Sequence, residues 1–203
     1  EYPTAGAVTV QQFPAIASRP RVERSTNQAA PDISAAAAGV WDSATKTFLF
    51  EKNADVVRSI ASVTKLMTVL VALDRGMNLD QALVIEREDN DPEGARLQIP
   101  VGGTVSVRDL LAATLIGSAN NAAEALVRAT GLSEAAFVAH MNARAANLGM
   151  TRTTFTDVTG LGNTNRSTIR DLVRLADVAF ARADIVAASS SSSYDVIDRM
   201  SGK

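Results

Sequence analysis

Ser62 and Lys65 stand three residues apart in a stretch that is apolar on nearly every side. Residues 59–73 read as a helix that opens at a serine. Val63, Leu66, Met67, Val69, Leu70, Val71 and Leu73 leave it almost no solvated face, so it is expected to run through the middle of the protein. Gly76 follows Asp74 and Arg75 where helices commonly end in a left-handed residue. Residues at i and i+3 are neighbours on a helix, so the Lys65 amine can reach the Ser62 hydroxyl. A serine hydroxyl is a weak nucleophile until a base takes its proton. Lysine becomes such a base when burial disfavours its charged form. The start of a helix adds free N–H groups and a dipole that favour negative charge on a reacting oxygen. Ser62 and Lys65 are therefore a candidate nucleophile and base on one rigid element. A plainer role also fits, in which Ser62 caps the helix and Lys65 snorkels to water.

The elements around this pair read as follows. Residues 1–32 hold four of the six prolines and little apolar periodicity, and are expected to form a flexible tail or spacer before a domain spanning 33–203. Residues 35–41 and 46–51 read as two strands joined by Asp42-Ser43-Ala44-Thr45, an antiparallel hairpin. From 78 to 103 the chain reads mostly as loop, with a short strand at 82–85. The acidic run 86–91 lacks the glycine and closing glutamate of a calcium loop and reads as a solvated charged loop. Ser106 and Asp109 form a capping-box pattern opening a helix that stops at Gly117. Ser118-Ala119-Asn120-Asn121 is a tight connection to a helix over 122–130. A further helix runs from Ser133 to Leu148 and closes at Gly149. Residues 153–158 look strand-like, a turn follows at 159–163, and a last amphipathic helix starts near Ser167, with Ile169, Leu172, Val173, Ala176, Ala179 and Phe180 on its core face. A hairpin first and helices after is an α+β order.

Composition narrows the function. A 46% hydrophobic chain of 203 residues can build a sizeable core. A net charge of −2 argues against a general nucleic-acid binder. Without cysteine there are no disulfides or thiolate metal sites, and a single histidine makes a transition-metal site improbable. That residue, His140, reads as a helix-surface or boundary side chain. No apolar run reaches the ~18 residues of a membrane span. The chain begins at Glu1, so any signal segment is expected to lie upstream of it.

Two stretches belong together. Ser62-Val63-Thr64-Lys65 is an S-x-x-K motif, and Ser118-Ala119-Asn120 is an S-x-N motif between two helices. The pairing resembles the penicillin-binding and serine β-lactamase superfamily. The residues around the motifs, 60–68 and 115–123, with 147–151, Thr153-Thr154-Phe155 and Gly160-Leu161, resemble the D-alanyl-D-alanine carboxypeptidase family over about residues 34–187. The resemblance implies an α+β transpeptidase-like fold, with a helical subdomain beside the N-terminal part of an antiparallel sheet. It also implies roles. Ser62 attacks the carbonyl of a D-Ala-D-Ala bond and forms an acyl-enzyme, Lys65 is the base, Ser118 relays a proton to the leaving amine, and Asn120 holds Lys65 and the substrate amide. The partners implied are peptidoglycan stem peptides and, as covalent inhibitors, β-lactams, on the extracytoplasmic side of the membrane. No cofactor is implied.

One departure matters. The family's third motif, a Lys-Thr-Gly on an edge strand, does not occur in the sequence. That strand binds the substrate carboxylate in the family and completes the oxyanion hole, and losing one oxyanion donor costs on the order of 100-fold in rate or more. These 203 residues alone are therefore expected to be weakly active or inactive, with the C-terminal strands missing and an open sheet edge that could pair with a second copy. Three functions stay open: a serine DD-peptidase (carboxypeptidase or endopeptidase), a β-lactamase, and a non-catalytic peptidoglycan-binding module. The lactamase needs a deacylating base, and after Glu134 the loop before Ser167 offers only Asp157.

Overall fold

A computed structural model describes residues 31–89, 93–191 and 193–200. The chain divides into two units, Glu1–Asp32 and Ile33–Lys203, and the description below concerns the second. The tail expected over 1–32 falls almost wholly outside the described residues.

The hairpin forms as the pattern predicts. Strand β1 (Ala38–Asp42) pairs antiparallel with β2 (Thr47–Lys52), with an irregularity between Val40 and Trp41. Asp42 closes the turn, its carboxylate accepting from the Ala44 amide and the Thr45 hydroxyl. Among the described residues no third strand joins this sheet.

Next comes the two-residue strand β3 (Arg58–Ser59), and then a 3₁₀ turn over Ala61–Val63. Only then does the central helix α1 (Thr64–Asp74) begin. The expected start at a serine is thus corrected: Ser62 lies in the turn that feeds the helix, and Val63 is half exposed. The rest of the expectation stands. Met67, Val69, Leu70 and Ala72 have no exposed surface, and α1 packs against four other helices. Burying the Met67, Val69 and Leu70 side chains contributes on the order of 1.5–3 kcal/mol each. Gly76 ends the helix with φ +78.

Strand β4 (Ala82–Val84) pairs antiparallel with β5 (Thr104–Ser106), a strand that the loop-like sequence around it concealed. Between them lies a 3₁₀ turn over Arg87–Asp89; Glu86, Arg87 and Glu88 are exposed, as the solvated reading expects, and Asp89 departs from it. Asp89 is buried and takes a two-pronged ion pair from Arg128, at 2.8 and 2.9 Å. Helix α2 (Val107–Leu115) opens on the expected capping box of Ser106 and Asp109. Helix α3 (Asn120–Ala129) begins two residues earlier than read, so Asn120 is its first residue. Helix α4 (Glu134–Asn147) is capped by Ser133 and closed by Gly149 at φ +70, with His140 exposed on its surface.

The strand-like 153–158 segment makes only an isolated bridge from Thr154 to Arg166. Strand β6 (Arg166–Ser167) pairs with β3 and leads into α5 (Ile169–Ala179). The buried line of α5 is Asp171, Leu175 and Ala179, while Phe180 is exposed. A short helix α6 (Ala183–Ser189), which no periodicity announced, packs on α2. The fold is α+β, with three small antiparallel sheets beside a helical core among the described residues. No helix among the described residues is long and apolar enough to cross a membrane.

Candidate active site

The β3–β6 pair positions the site. It holds residues 58–60 against 165–167, and the Ile60 amide donates to the Asn165 carbonyl. The chain then turns sharply at Ala61, whose φ is +44, and presents Ser62 at the N-terminus of α1. A non-glycine residue in this region costs about 1–2 kcal/mol and persists only where its surroundings enforce it. Gly160, at φ +82, packs against it so closely that a β-carbon there would overlap the Ala61 carbonyl and lie 2.9 Å from Thr64 Oγ1.

Lys65 is 2% exposed. Its Nζ lies 3.1 Å from Ser62 Oγ and donates to the Thr159 carbonyl at 2.9 Å. The plainer reading, a lysine snorkelling to water, is excluded by that burial. Burial is the main cause that holds the amine below the usual lysine range, and the carboxylates of Asp157 and Glu124 act the other way. With one N–H committed to Thr159, a neutral amine can turn its lone pair to the Ser62 hydroxyl, within the ~2.6–3.2 Å reach of a general base.

The loop that carries Thr159 is held from beneath. Asp157 Oδ1 accepts the Thr159 amide at 2.9 Å and the Gly160 amide, while its Oδ2 is buried and takes no hydrogen bond among the described residues. Asn165 is fully buried and uses its whole amide. Nδ2 donates to Thr64 Oγ1 at 2.8 Å and to the Asp157 carbonyl at 3.0 Å, and Oδ1 accepts from Thr156 N at 2.7 Å and Asp157 N at 3.2 Å. Asn165→Ala strands several buried partners at about 1–3 kcal/mol each. A net loss of about 3 kcal/mol is expected, read as a fall of about 6–12 °C in the thermal midpoint by calorimetry.

The second motif lies on the α3 side of the core, where α3 packs on α1. Asn120 is buried, and its Nδ2 donates to the Glu93 carbonyl at 3.0 Å, with Gly94 pressed against it. Gly94 also borders Leu161, so the 93–94 segment bridges Asn120 and the 159–162 turn. Ser118 is half-buried in the loop before α3, at φ +53. The structure thus brings Ser62 and Lys65 into direct contact. Among the described residues the Lys65 amine bonds Ser62 and Thr159, not Ser118 or Asn120. Sequence reasoning missed Thr159, Asn165 and the bracing by Asp157. One signal was present: Asp-x-Thr-Gly is the spacing of a carboxylate that bonds backbone amides two and three residues on.

A cavity of about 300 Å³ lined by Val56, Ile60, Val63, Ser167 and Leu172 lies beside the turn and includes neither Ser62 nor Lys65. No group of three His, Cys, Asp or Glu among the described residues is placed to hold a metal.

A serine beside a buried lysine at a helix start, on a helical α+β scaffold, is an arrangement that can support lysine-activated acyl transfer. Comparison with known proteins gives the family. The D-alanyl-D-alanine carboxypeptidase family model matches residues 24–199, and the chain belongs to that family. It is 41% identical over 145 residues to a D-alanyl-D-alanine endopeptidase of Pseudomonas aeruginosa, covering 71% of this chain and 47% of the relative. It is 36% identical over 161 residues to a D-alanyl-D-alanine carboxypeptidase of Streptomyces sp. K15, covering 73% and 55%. A variant of the Streptomyces K15 DD-transpeptidase superposes with a TM-score of 0.79 at 31% identity, over 85% of this chain and 72% of that one. The chain spans about half the length of the curated relatives it matches.

Proposed function

We propose that the protein is a serine DD-peptidase acting on D-alanyl-D-alanine bonds or D-amino-acid cross-links of peptidoglycan stem peptides. The observation that carries this reading is the 3.1 Å approach of a nearly fully buried Lys65 amine to Ser62 Oγ. In it, Lys65 takes the Ser62 proton, Ser62 Oγ forms an acyl-enzyme with the D-alanine carbonyl, Ser118 passes a proton to the leaving amine, and Asn120 binds the substrate amide once released from the Glu93 carbonyl. Such substrates place its work on the extracytoplasmic side of the membrane. β-Lactams, which mimic the D-alanyl-D-alanine terminus, would acylate the same serine. Higher identity to the Pseudomonas endopeptidase than to the Streptomyces carboxypeptidase, 41% against 36%, supports cross-link cleavage as the first activity to assay.

The lactamase reading is less well supported. Asp157, the carboxylate expected to be available for deacylation, spends one oxygen on two backbone amides and buries the other. It is poorly placed to activate water, so a penicilloyl-Ser62 adduct should persist.

Labelled penicillin tests this on the full-length product of the gene. Stable labelling in the wild type that disappears in Ser62→Ala supports the peptidase. Rapid turnover of penicillin supports a lactamase, and no labelling supports a binding module that keeps the fold.

A further inference from the structure

We propose that Asp157 is a positioning residue for the Lys65 base: it braces the Thr159–Gly160 turn whose carbonyl takes the amine, and its carboxylate charge acts on that amine. This rests on the reading of Lys65 as a base. The geometry is a relay of two contacts. Asp157 Oδ1 fixes the Thr159 and Gly160 amides, and the Thr159 carbonyl in turn takes the Lys65 amine at 2.9 Å. The same turn sets Gly160 against the Ala61 carbonyl, so the position of Ser62 is coupled to it.

Asp157 Oδ2 is what makes this more than a structural cap. It is buried, takes no hydrogen bond among the described residues, and lies beneath the Gly162 backbone. An unsolvated carboxylate oxygen acts through a low dielectric and is felt strongly by a nearby ammonium. The charges acting on Lys65 are Asp157 from this loop and Glu124 from α3. On the other helices packed on α1, Asp109 of α2 bonds Ser106, Arg144 of α4 pairs with Asp74, and Asp171 of α5 pairs with Arg174. Burial drives the amine toward its neutral form and Asp157 opposes it, so the pair sets the pH at which the base switches on.

The test follows the Lys65 side-chain ¹³Cε resonance against pH, assigned with Lys65→Arg, beside the pH profile of penicillin acylation. Asp157→Asn keeps an oxygen to accept the two amides and removes the charge. The Lys65 titration and the rising limb of acylation should both move to lower pH by about one unit. Asp157→Ser, which keeps a smaller acceptor and no charge, should move them the same way if Asp157→Asn folds poorly, and Asp157→Glu should restore them toward the wild type. A merely structural role would lower the amplitude without moving either midpoint, and that result overturns the proposal. The resonance reads Lys65 without any reaction. A shifted titration in a protein that never acylates would overturn the peptidase reading and leave the coupling of Asp157 to the Lys65 amine standing. An unmoved titration in a protein that acylates would do the reverse.

Discussion

Lys65→Met is expected to lower the rate at which penicillin acylates Ser62 by about 10²–10⁴-fold, the usual contribution of a positioned general base. Methionine nearly matches the shape of the lysine stem, so the core around Met67 and Leu70 should stay packed. What disappears is the group 3.1 Å from Ser62 Oγ that can receive its proton. The time course of labelling measures the effect directly. In the wild type, acylation should rise with pH along a limb below the usual lysine value, because burial lowers the Lys65 pKa and only the neutral amine is a base. The methionine variant should lose that limb.

The same substitution tests the stability side. The Lys65 pKa is lower folded than unfolded, so across the window between those values the unfolded chain holds the proton more tightly. Wild-type stability should therefore rise as pH climbs through that window and fall as pH drops back through the folded value. The contribution is complete only above the unfolded pKa. Denaturant titrations of Lys65→Met should lack that slope. At neutral pH the variant should be at least as stable as the wild type, since among the described residues no carboxylate lies within ion-pair distance of the buried amine and burial outweighs the more distant Asp157 and Glu124.

Gly160→Ala is the second substitution with a large effect. Two penalties add. An alanine at φ +82 costs about 1–2 kcal/mol. Its β-carbon also overlaps the Ala61 carbonyl, and such overpacking costs about 1–3 kcal/mol. Relief requires the 159–162 turn and the Ala61 turn to separate, which moves both Thr159 and Ser62. A displacement of about 1 Å at a reacting group costs on the order of 10²-fold in rate. A thermal midpoint lower by about 6–15 °C and a matching loss of acylation are expected. Two controls separate the causes. Gly76→Ala carries the same backbone penalty at φ +78 into open space, so it should show the conformational cost alone. Gly162→Ala lacks positive φ but brings a β-carbon to 3.3 Å from Asp157 Oδ2, so it should show a tight side-chain contact without the backbone cost, and a smaller loss than Gly160→Ala.

Much of the scaffold could be read from residue order. The β1–β2 hairpin announced itself by strand formers around a polar turn at Asp42. The α2 start was written in Ser106 and Asp109, and two helix ends in Gly76 and Gly149. All of these are local, set within a few residues by side-chain hydrogen bonds or by tolerance of positive φ. The Ser62–Lys65 contact is local too, since spacing on one turn places the two groups together whether that turn is α or 3₁₀.

Other features had no local signal. β3 and β6 are two residues each, too short for any period, and exist because residues more than a hundred positions apart meet. Asp89 looked like part of a solvated acidic run until Arg128 reached it from α3. The chain enters α1 through a 3₁₀ turn at Ser62, beside an Ala61 on which Gly160 packs from about a hundred positions away. The sequence alone determined that a serine and a lysine stand three residues apart and come within reach of each other. Tertiary structure decided what surrounds them: a backbone carbonyl at Thr159, a braced turn and a dry setting for the amine. Every residue has the same carbonyl, so only the fold can choose which one a lysine meets.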